Sequence, residues 1–129
     1  PVRDFLQARS SALKARGIHA DRIVWDPGIG FGKTIEQNFS LLARQAELLA
    51  GRSRLLVGWS RKSSLGAVTG LEVTERAVPS AVAAVLAVER GASIVRVHDV
   101  RETVAALAVW TSTISQTGTT ASRPMEAGT

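Results

Sequence analysis

The side chains best suited to chemistry fall at the ends of three short apolar runs, "RIVWD", "RLLVG" and "SIVRV". They comprise one carboxylate, one serine, three cations and one imidazole: Asp26, Ser60, Arg61, Lys62, Arg96 and His98. If the runs are parallel strands, their carboxyl ends share one rim, where ligands bind in α/β folds. Such a rim suits a ligand that carries both a hydrogen-bonding ring and an anionic group.

A glycine-rich stretch, "WDPGIGFGKT", follows the first run. Its glycines permit positive φ angles and a close approach of the backbone to a ligand. The spacing matches neither the dinucleotide-binding fingerprint nor the P-loop. Asp26 alone is equally explained as a turn residue, since Asp-Pro-Gly is a common turn sequence. Phe31 is either a buried anchor or a mobile aromatic wall of a pocket, and we expect Lys33 to be solvated rather than catalytic.

The second and third runs deliver the cations. Two of them, in "SRK" at 60–62, follow a wholly apolar segment, which favours a site over a solvent-facing loop. Alternation along a strand places Arg96 and His98 on the same side. This arrangement favours anion binding, although a structural hydrogen bond from His98 to Asp99 is an alternative. We expect His19, between a helix end and a strand, to lie on the surface.

The periodicity of the sequence alternates between that of helices and that of strands. It predicts helices at 2–16, 35–50, 74–90 and 101–110, strands at 22–26, 54–58 and 93–97, and a loop with at most one helical turn at 59–71. The order implies right-handed parallel crossovers. Three parallel strands would leave unpaired outer edges, so we expect a section of a larger barrel or open sheet.

Composition narrows the classes of function. The chain has 129 residues, of which 45% are hydrophobic, and it carries a net charge of +5. Its lack of cysteine excludes disulfides and thiolate chemistry, and fits a cytoplasmic location. No basic run is interleaved with aromatic residues and no apolar run could cross a bilayer, so we expect neither nucleic-acid nor membrane partners. Because the first residue is proline, we expect a processed chain or a piece of a longer one.

Three motifs, "DPGIGFGKT", "GWSRKSSLGAVTG" and "RVHDV", resemble in their order and spacing those of the dihydropteroate synthase family. The dipeptide "ER" at 75–76 also fits. The resemblance covers residues 1–111 and implies an α/β fold, the C-terminal portion of a (β/α)₈ TIM barrel. That portion would hold about three βα units and the helix before them. The polar segment 112–129 is then predicted to be a disordered tail.

The resemblance implies an activity in folate biosynthesis. This family condenses 6-hydroxymethyl-7,8-dihydropterin diphosphate with 4-aminobenzoate and releases diphosphate with the help of Mg²⁺. It implies these roles by position: the pterin is bound by Asp26, Lys62 and Arg96, the diphosphate by Arg96 and His98, and the aminobenzoate pocket is lined by Gly30, Phe31, Ser60 and Arg61. The metal ligand and further pterin-binding residues would lie outside this chain, so no metal site is expected within it.

The family is commonly dimeric through its late helices, and the segment 77–88 is apolar around most of its circumference, so we expect a homodimer.

Other interpretations of the function remain open at this point. A pterin-binding methyltransferase-type domain would share the barrel and the acid, but would have no reason to keep "SRK" and "RVHDV" for a diphosphate. An inactive fragment or paralogue is the third interpretation, because a barrel needs roughly 250 residues.

Overall fold

The computed structural model describes residues 1–51 and 53–117 of the chain. A parallel sheet of three strands lies at its centre in the order β1 (Val24–Trp25), β2 (Arg54–Val57) and β3 (Ile94–Val95). Val24 pairs with Arg54, and Leu56 pairs with Ile94. The predicted alternation of helices and parallel strands is therefore confirmed.

Five α-helices surround the sheet in the part of the chain that the structure describes: α1 (Val2–Ala15), α2 (Ile35–Ala43), α3 (Ser63–Thr69), α4 (Ala77–Glu89) and α5 (Val100–Gln116). Short 3₁₀ segments precede β1, follow α2 and precede α4, at Ala20–Arg22, Gln45–Gly51 and Val73–Glu75. No described helix has the length and apolar character needed to span a bilayer.

The sheet is buried on one face only. Trp25, Leu55 and Val57 point into the core, where each is at most 2% exposed. On the other face, Val24 and Ile94 are 37% and 41% exposed. Parallel sheets are ordinarily covered on both faces. Within the described residues, this sheet is covered on one face only, and its other face exposes apolar side chains.

Several predicted boundaries need correction. The strand expected at 22–26 covers only two residues, because a 3₁₀ turn occupies its start. The helix expected at 35–50 changes to 3₁₀ geometry after Ala43. The segment 59–71 contains α3, a helix of seven residues rather than one turn.

The last helix is also longer than predicted. It runs to Gln116 instead of ending at Trp110, so the disordered tail expected from residue 112 is wrong for 112–116. Hydroxyl groups in this part hydrogen-bond back into the helix, with Thr113 Oγ1 donating to the carbonyl of Val109 at 2.9 Å. These bonds satisfy the polar side chains without ending the helix. The rest of the predicted tail, 118–129, lies outside the described residues.

Candidate functional site

A cavity of about 510 Å³ opens at the carboxyl ends of the three strands. Six predicted site residues line it, together with Gly58 and Val97: Asp26, Phe31, Ser60, Lys62, Arg96 and His98. The expectation that the strand ends bring these side chains to one rim is confirmed. A larger cavity of about 740 Å³, between the start of α1 and α2, shares only Phe31 with this set.

Asp26 both forms a turn with Gly28 and lines the cavity. Its Oδ1 accepts a hydrogen bond from the main-chain N–H of Gly28 at 2.9 Å, which forms the turn. Its Oδ2 lies 3.4 Å from Nη1 of Arg96 and faces the cavity. The turn therefore fixes the orientation of the carboxylate and directs its second oxygen to the rim, where it lies against Arg96.

The glycine-rich loop after Asp26 is closed by its own lysine. Lys33 Nζ donates to the carbonyl of Gly28 at 2.7 Å and to that of Phe31 at 3.1 Å. The expectation that Lys33 is simply solvated is therefore wrong. Its ammonium organises the loop, while Phe31 stays 65% exposed at the edge of the cavity. Of the two interpretations of Phe31, the structure supports the aromatic wall.

A buried asparagine fixes this loop to the rest of the fold. Asn38, on α2, is 2% exposed. Its Oδ1 accepts from the main-chain N–H of Gly30 at 2.9 Å, and its Nδ2 donates to Ser64 Oγ on α3 at 3.0 Å. Sequence analysis missed this residue, although an amide on the same helix face as Leu41 and Leu42, three and four residues later, was a usable signal.

Lys62 lies against the same loop. Its Nζ donates to the carbonyl of Ile29 at 3.0 Å and is 4.4 Å from the centre of the Phe31 ring, a cation–π geometry. A Cβ at Gly30, where φ is +84°, would lie 3.1 Å from Lys62 Cδ. Burial lowers the pKa of Lys62, the positive charge of Arg96 lowers it further, and Asp26 partly offsets both effects.

Arg61 does not join the cavity. Its guanidinium pairs with Asp99, with Nη2 2.9 Å from Oδ1 and Nε 3.3 Å from Oδ2. The implied role of Arg61 in the aminobenzoate pocket stays a prediction, although its side chain does not line this cavity. The hydrogen bond between them lowers the pKa of Asp99 and raises that of Arg61. With Asp99 engaged in this way, the proposed hydrogen bond between His98 and Asp99 is also wrong.

The actual partner of His98 is Ser60. Ser60 Oγ accepts from the main-chain N–H of His98 at 3.0 Å and lies 2.8 Å from Nδ1 of the ring. The serine is 6% exposed, whereas the histidine is exposed toward the cavity. Ser60 therefore borders the predicted pocket, but its hydroxyl is directed at the imidazole.

Two residues near the start of α4 hold the turn that carries Arg61 and Lys62. Arg61 has a φ of +58°, the left-handed region that side chains other than glycine seldom adopt. Ser80 Oγ accepts from the N–H of Arg61 at 2.9 Å, and Arg76 Nη1 donates to its carbonyl at 2.9 Å. Arg76 Nε also donates to the carbonyl of Leu71 at 2.9 Å. Sequence analysis noted "ER" only through resemblance and missed Ser80.

Comparison with known proteins identifies the family. The profile of the pterin binding enzyme family matches residues 1–98. This chain belongs to the pterin-binding enzymes. The dihydropteroate synthase of Escherichia coli K12 is 48% identical over 99 residues, which cover 77% of this chain and 35% of that protein. The one from Haemophilus influenzae is 42% identical over 109 residues, 84% of this chain and 40% of that protein.

Solved structures of pterin-binding enzymes share the fold. Dihydropteroate synthase from Stenotrophomonas maltophilia, with imidazole bound in its active site, superposes with a TM-score of 0.87 at 43% identity. The superposition covers 88% of this chain and 43% of the Stenotrophomonas maltophilia chain. The Xanthomonas albilineans enzyme in complex with 7,8-dihydropteroate gives a TM-score of 0.87 at 43% identity, with 88% and 44% covered. The chain therefore spans less than half the length of these relatives, and the predicted resemblance is confirmed.

The described residues of this chain do not by themselves fit a metal ion. No group of three or more side chains from His, Asp or Glu with suitable placement occurs within 1–51 and 53–117. Asp26 faces the guanidinium of Arg96 at 3.4 Å, and Asp99 is paired with Arg61. A Mg²⁺ ion needs carboxylates that are not already matched to cations.

Proposed function

We propose that this chain is the C-terminal part of a dihydropteroate synthase, which joins a pterin diphosphate to 4-aminobenzoate. The observation that carries the proposal is the single cavity shared by one acid and three basic side chains: Asp26, Lys62, Arg96 and His98. A hydrogen-bonding heterocycle with an anionic tail matches this distribution of charge. The solved relative from Xanthomonas albilineans, which holds 7,8-dihydropteroate, supports the same substrate class.

The open sheet face supports the proposed portion of the barrel. In a (β/α)₈ barrel, one face of the sheet packs on helices and the other on side chains from strands across the lumen. Here Val24 and Ile94 lie on the uncovered face, on strands that are both edges of the sheet. We infer that this chain supplies about the last three βα units, and that segments outside it complete the lumen. The 129 residues alone would then be inactive.

Each site residue has a task in the proposed reaction. Asp26 accepts hydrogen bonds from the N–H groups of the pterin ring, which holds the ring and polarises it. The neutral amine of aminobenzoate attacks the pterin CH₂ carbon, the C–O bond to diphosphate breaks, and the amine then loses a proton. Negative charge grows on the departing diphosphate, and the donors of Lys62, Arg96 and His98 stabilise it.

The second substrate would enter beside Phe31. That ring is exposed at the cavity edge, on a loop whose glycines have positive φ angles. An aromatic wall on such a loop can close over the ring of aminobenzoate and exclude water from the reacting atoms. Gly30 contributes by leaving room for Lys62, since a side chain there would lie against Lys62 Cδ at 3.1 Å.

We also propose a homodimer, formed through the outer surface of the last helices. Val78 and Val82 on α4 are 73% and 52% exposed, and Val109 on α5 is 70% exposed. Burial of such side chains against a second copy would be favourable by about 25 cal/mol per Å² of apolar surface. The cytoplasmic location remains a prediction of the sequence.

The test uses the full-length enzyme to which this chain would belong. Diphosphate release from the pterin diphosphate is measured with and without 4-aminobenzoate, and stoichiometric dihydropteroate is expected only when both are present. Asp26→Asn should weaken binding of the pterin substrate by at least ~1 kcal/mol, because a charge-assisted hydrogen bond is lost. A methyltransferase-type domain would bind a pterin but release no diphosphate, and that outcome would reject the proposal.

A further inference from the structure

The hydroxyl of Ser60 meets His98 at two atoms. It accepts a hydrogen bond from the main-chain N–H at 3.0 Å and lies 2.8 Å from Nδ1 of the imidazole. Ser60 is 6% exposed, and within the described residues its hydroxyl has no other hydrogen-bond partner. The serine thus holds both the backbone and the ring of the same residue.

The donor and acceptor capacity of the Ser60 hydroxyl indicates which nitrogen of the His98 ring carries the proton. A hydroxyl has one proton to donate and two lone pairs that accept. The main-chain N–H of His98 can only donate, so it uses a lone pair of Ser60 Oγ. The hydroxyl proton can then be donated to Nδ1, which lies 2.8 Å away and is its one acceptor within hydrogen-bond distance among the described residues. An Nδ1 that accepts is unprotonated, which places the proton of the neutral imidazole on Nε2.

We propose that Ser60 is a positioning residue that fixes the Nε2–H tautomer of His98, so that the histidine meets an anionic ligand as a neutral N–H donor. The tautomer is inferred from the two contacts between Ser60 and His98. Its use toward the diphosphate of a pterin substrate rests on the proposed function. Ser60 then acts on the departing group through His98.

The charges around the cavity explain why a neutral donor is useful there. Arg96 and Lys62 already place two cations beside the same cavity, while Asp26 is directed at Arg96. Asp99, the carboxylate next to His98, is paired with Arg61 at 2.9 Å, so its charge is largely matched by that cation. A third cation would be repelled by the first two. A neutral Nε2–H adds a hydrogen bond to an anion without that cost.

The exposed side of the His98 ring lines the cavity. Its Nε2 has no hydrogen-bond partner among the residues that the structure describes. With Nδ1 engaged by Ser60, Nε2 is the ring nitrogen left for a ligand. The same hydrogen bond therefore sets both the orientation of the ring and the position of its proton.

The experiment is nitrogen NMR of the full-length enzyme labelled with ¹⁵N-histidine, with the His98 signals assigned by their loss in His98→Gln. We expect the shift of an unprotonated nitrogen at Nδ1 and of a protonated one at Nε2. Ser60→Ala should shift His98 toward a mixture of tautomers, whereas Ser60→Thr, which keeps a hydroxyl, should restore the wild-type pattern. Inorganic diphosphate is the ligand probe and should perturb Nε2–H more than Nδ1.

Kinetics give a second readout. Ser60→Ala should raise KM for the pterin diphosphate roughly tenfold with a smaller change in kcat, the size expected for one hydrogen bond to a charged group. A protonated Nδ1 in the wild type would overturn the inference, and so would an unchanged tautomer in a folded Ser60→Ala variant. If that variant does not fold, the wild-type spectrum alone decides.

The two proposals fail in different ways. An enzyme that forms no dihydropteroate but shows the Nε2–H tautomer and its response to inorganic diphosphate would reject the proposed function and keep the inference. An active enzyme whose His98 carries its proton on Nδ1 would do the reverse.

Discussion

Arg96 reaches Asp26 across an intervening strand, with its Nη1 3.4 Å from the Oδ2 of the carboxylate. The arginine follows β3 and the aspartate follows β1, and β2 lies between those strands. Gly58, directly after β2, makes the crossing possible. A Cβ at this position would lie 2.6 Å from Nη2 and 3.0 Å from Cζ of Arg96.

The first prediction concerns Gly58→Ala. A methyl group at this point must displace the Arg96 guanidinium, because 2.6 Å is far below a van der Waals contact. We expect the full-length enzyme to bind the pterin diphosphate roughly tenfold more weakly, about the loss of one hydrogen bond to a charged group. Isothermal titration calorimetry measures this affinity, and circular dichroism checks that the fold is retained.

A double-mutant cycle tests whether Arg96 transmits the effect. If Gly58→Ala acts only by moving the guanidinium, it should have little further effect in an Arg96→Ala background. Additive losses in the double variant would show that Gly58 acts by another route.

Asn38 provides the second prediction, which concerns stability. Asn38→Ala removes the acceptor for the Gly30 N–H, in a partly buried hydrogen bond, and the donor to Ser64 Oγ, in a buried one. We expect the free energy of unfolding to fall by about 1–3 kcal/mol, the cost of leaving such partners unsatisfied. Urea denaturation of the full-length enzyme measures it. Ser40→Ala, an exposed change on the same helix, should stay within about 0.5 kcal/mol; equal losses would contradict the role of Asn38.

The third prediction concerns Arg76, which holds the turn before Lys62. Its planar guanidinium donates through Nε to the carbonyl of Leu71 and through Nη1 to that of Arg61. A lysine has one ammonium and cannot reproduce this fork, so Arg76→Lys should release the left-handed backbone of Arg61. We expect KM for the pterin diphosphate to rise at least threefold, about half the free energy of a typical hydrogen bond to a charged group.

The matched control is Arg101→Lys, on the exposed side of α5. It changes the same chemical group away from the cavity and should leave KM unaltered. If both variants behave alike, the turn does not depend on the guanidinium of Arg76.

Sequence reasoning could predict the members of the cavity because their positions follow from strand ends. Asp26 and Arg96 directly follow strands β1 and β3, and Lys62 and His98 lie within a few residues of the ends of β2 and β3. Parallel strands bring such positions to one rim. The same argument predicts the alternating α/β order. It does not depend on any contact between side chains far apart in the sequence.

The errors fall where long-range contacts decide the outcome. The side chain of Arg61 lies outside the cavity because its guanidinium donates hydrogen bonds to Asp99, which is 38 residues later in the sequence. The sequence predicts a loop with at most one helical turn at the place of α3, because "SSLGAVT" has weak helical propensity. In the structure, Asn38 on α2 donates to Ser64 Oγ of this helix. The 3₁₀ segments and the extra turns of α5 depend likewise on packing and local hydrogen bonds that periodicity does not encode.

The fourth prediction follows from the pKa of Lys62, which burial and the charge of Arg96 lower while Asp26 raises it. Arg96→Gln removes the repulsion and should bring the pKa of Lys62 back toward its ordinary value. Asp26→Asn removes the attraction and should lower it further. As pH rises through this pKa the ammonium loses its charge, so the alkaline decline in affinity for inorganic diphosphate should move to higher pH in the first variant and to lower pH in the second.

Carbon NMR titration of the Lys62 ε-carbon measures the pKa directly, and Glu102→Gln on α5 serves as the charge-changing control. Shifts of the same sign in both cavity variants would contradict the arrangement in which Lys62 lies between an acid and a cation.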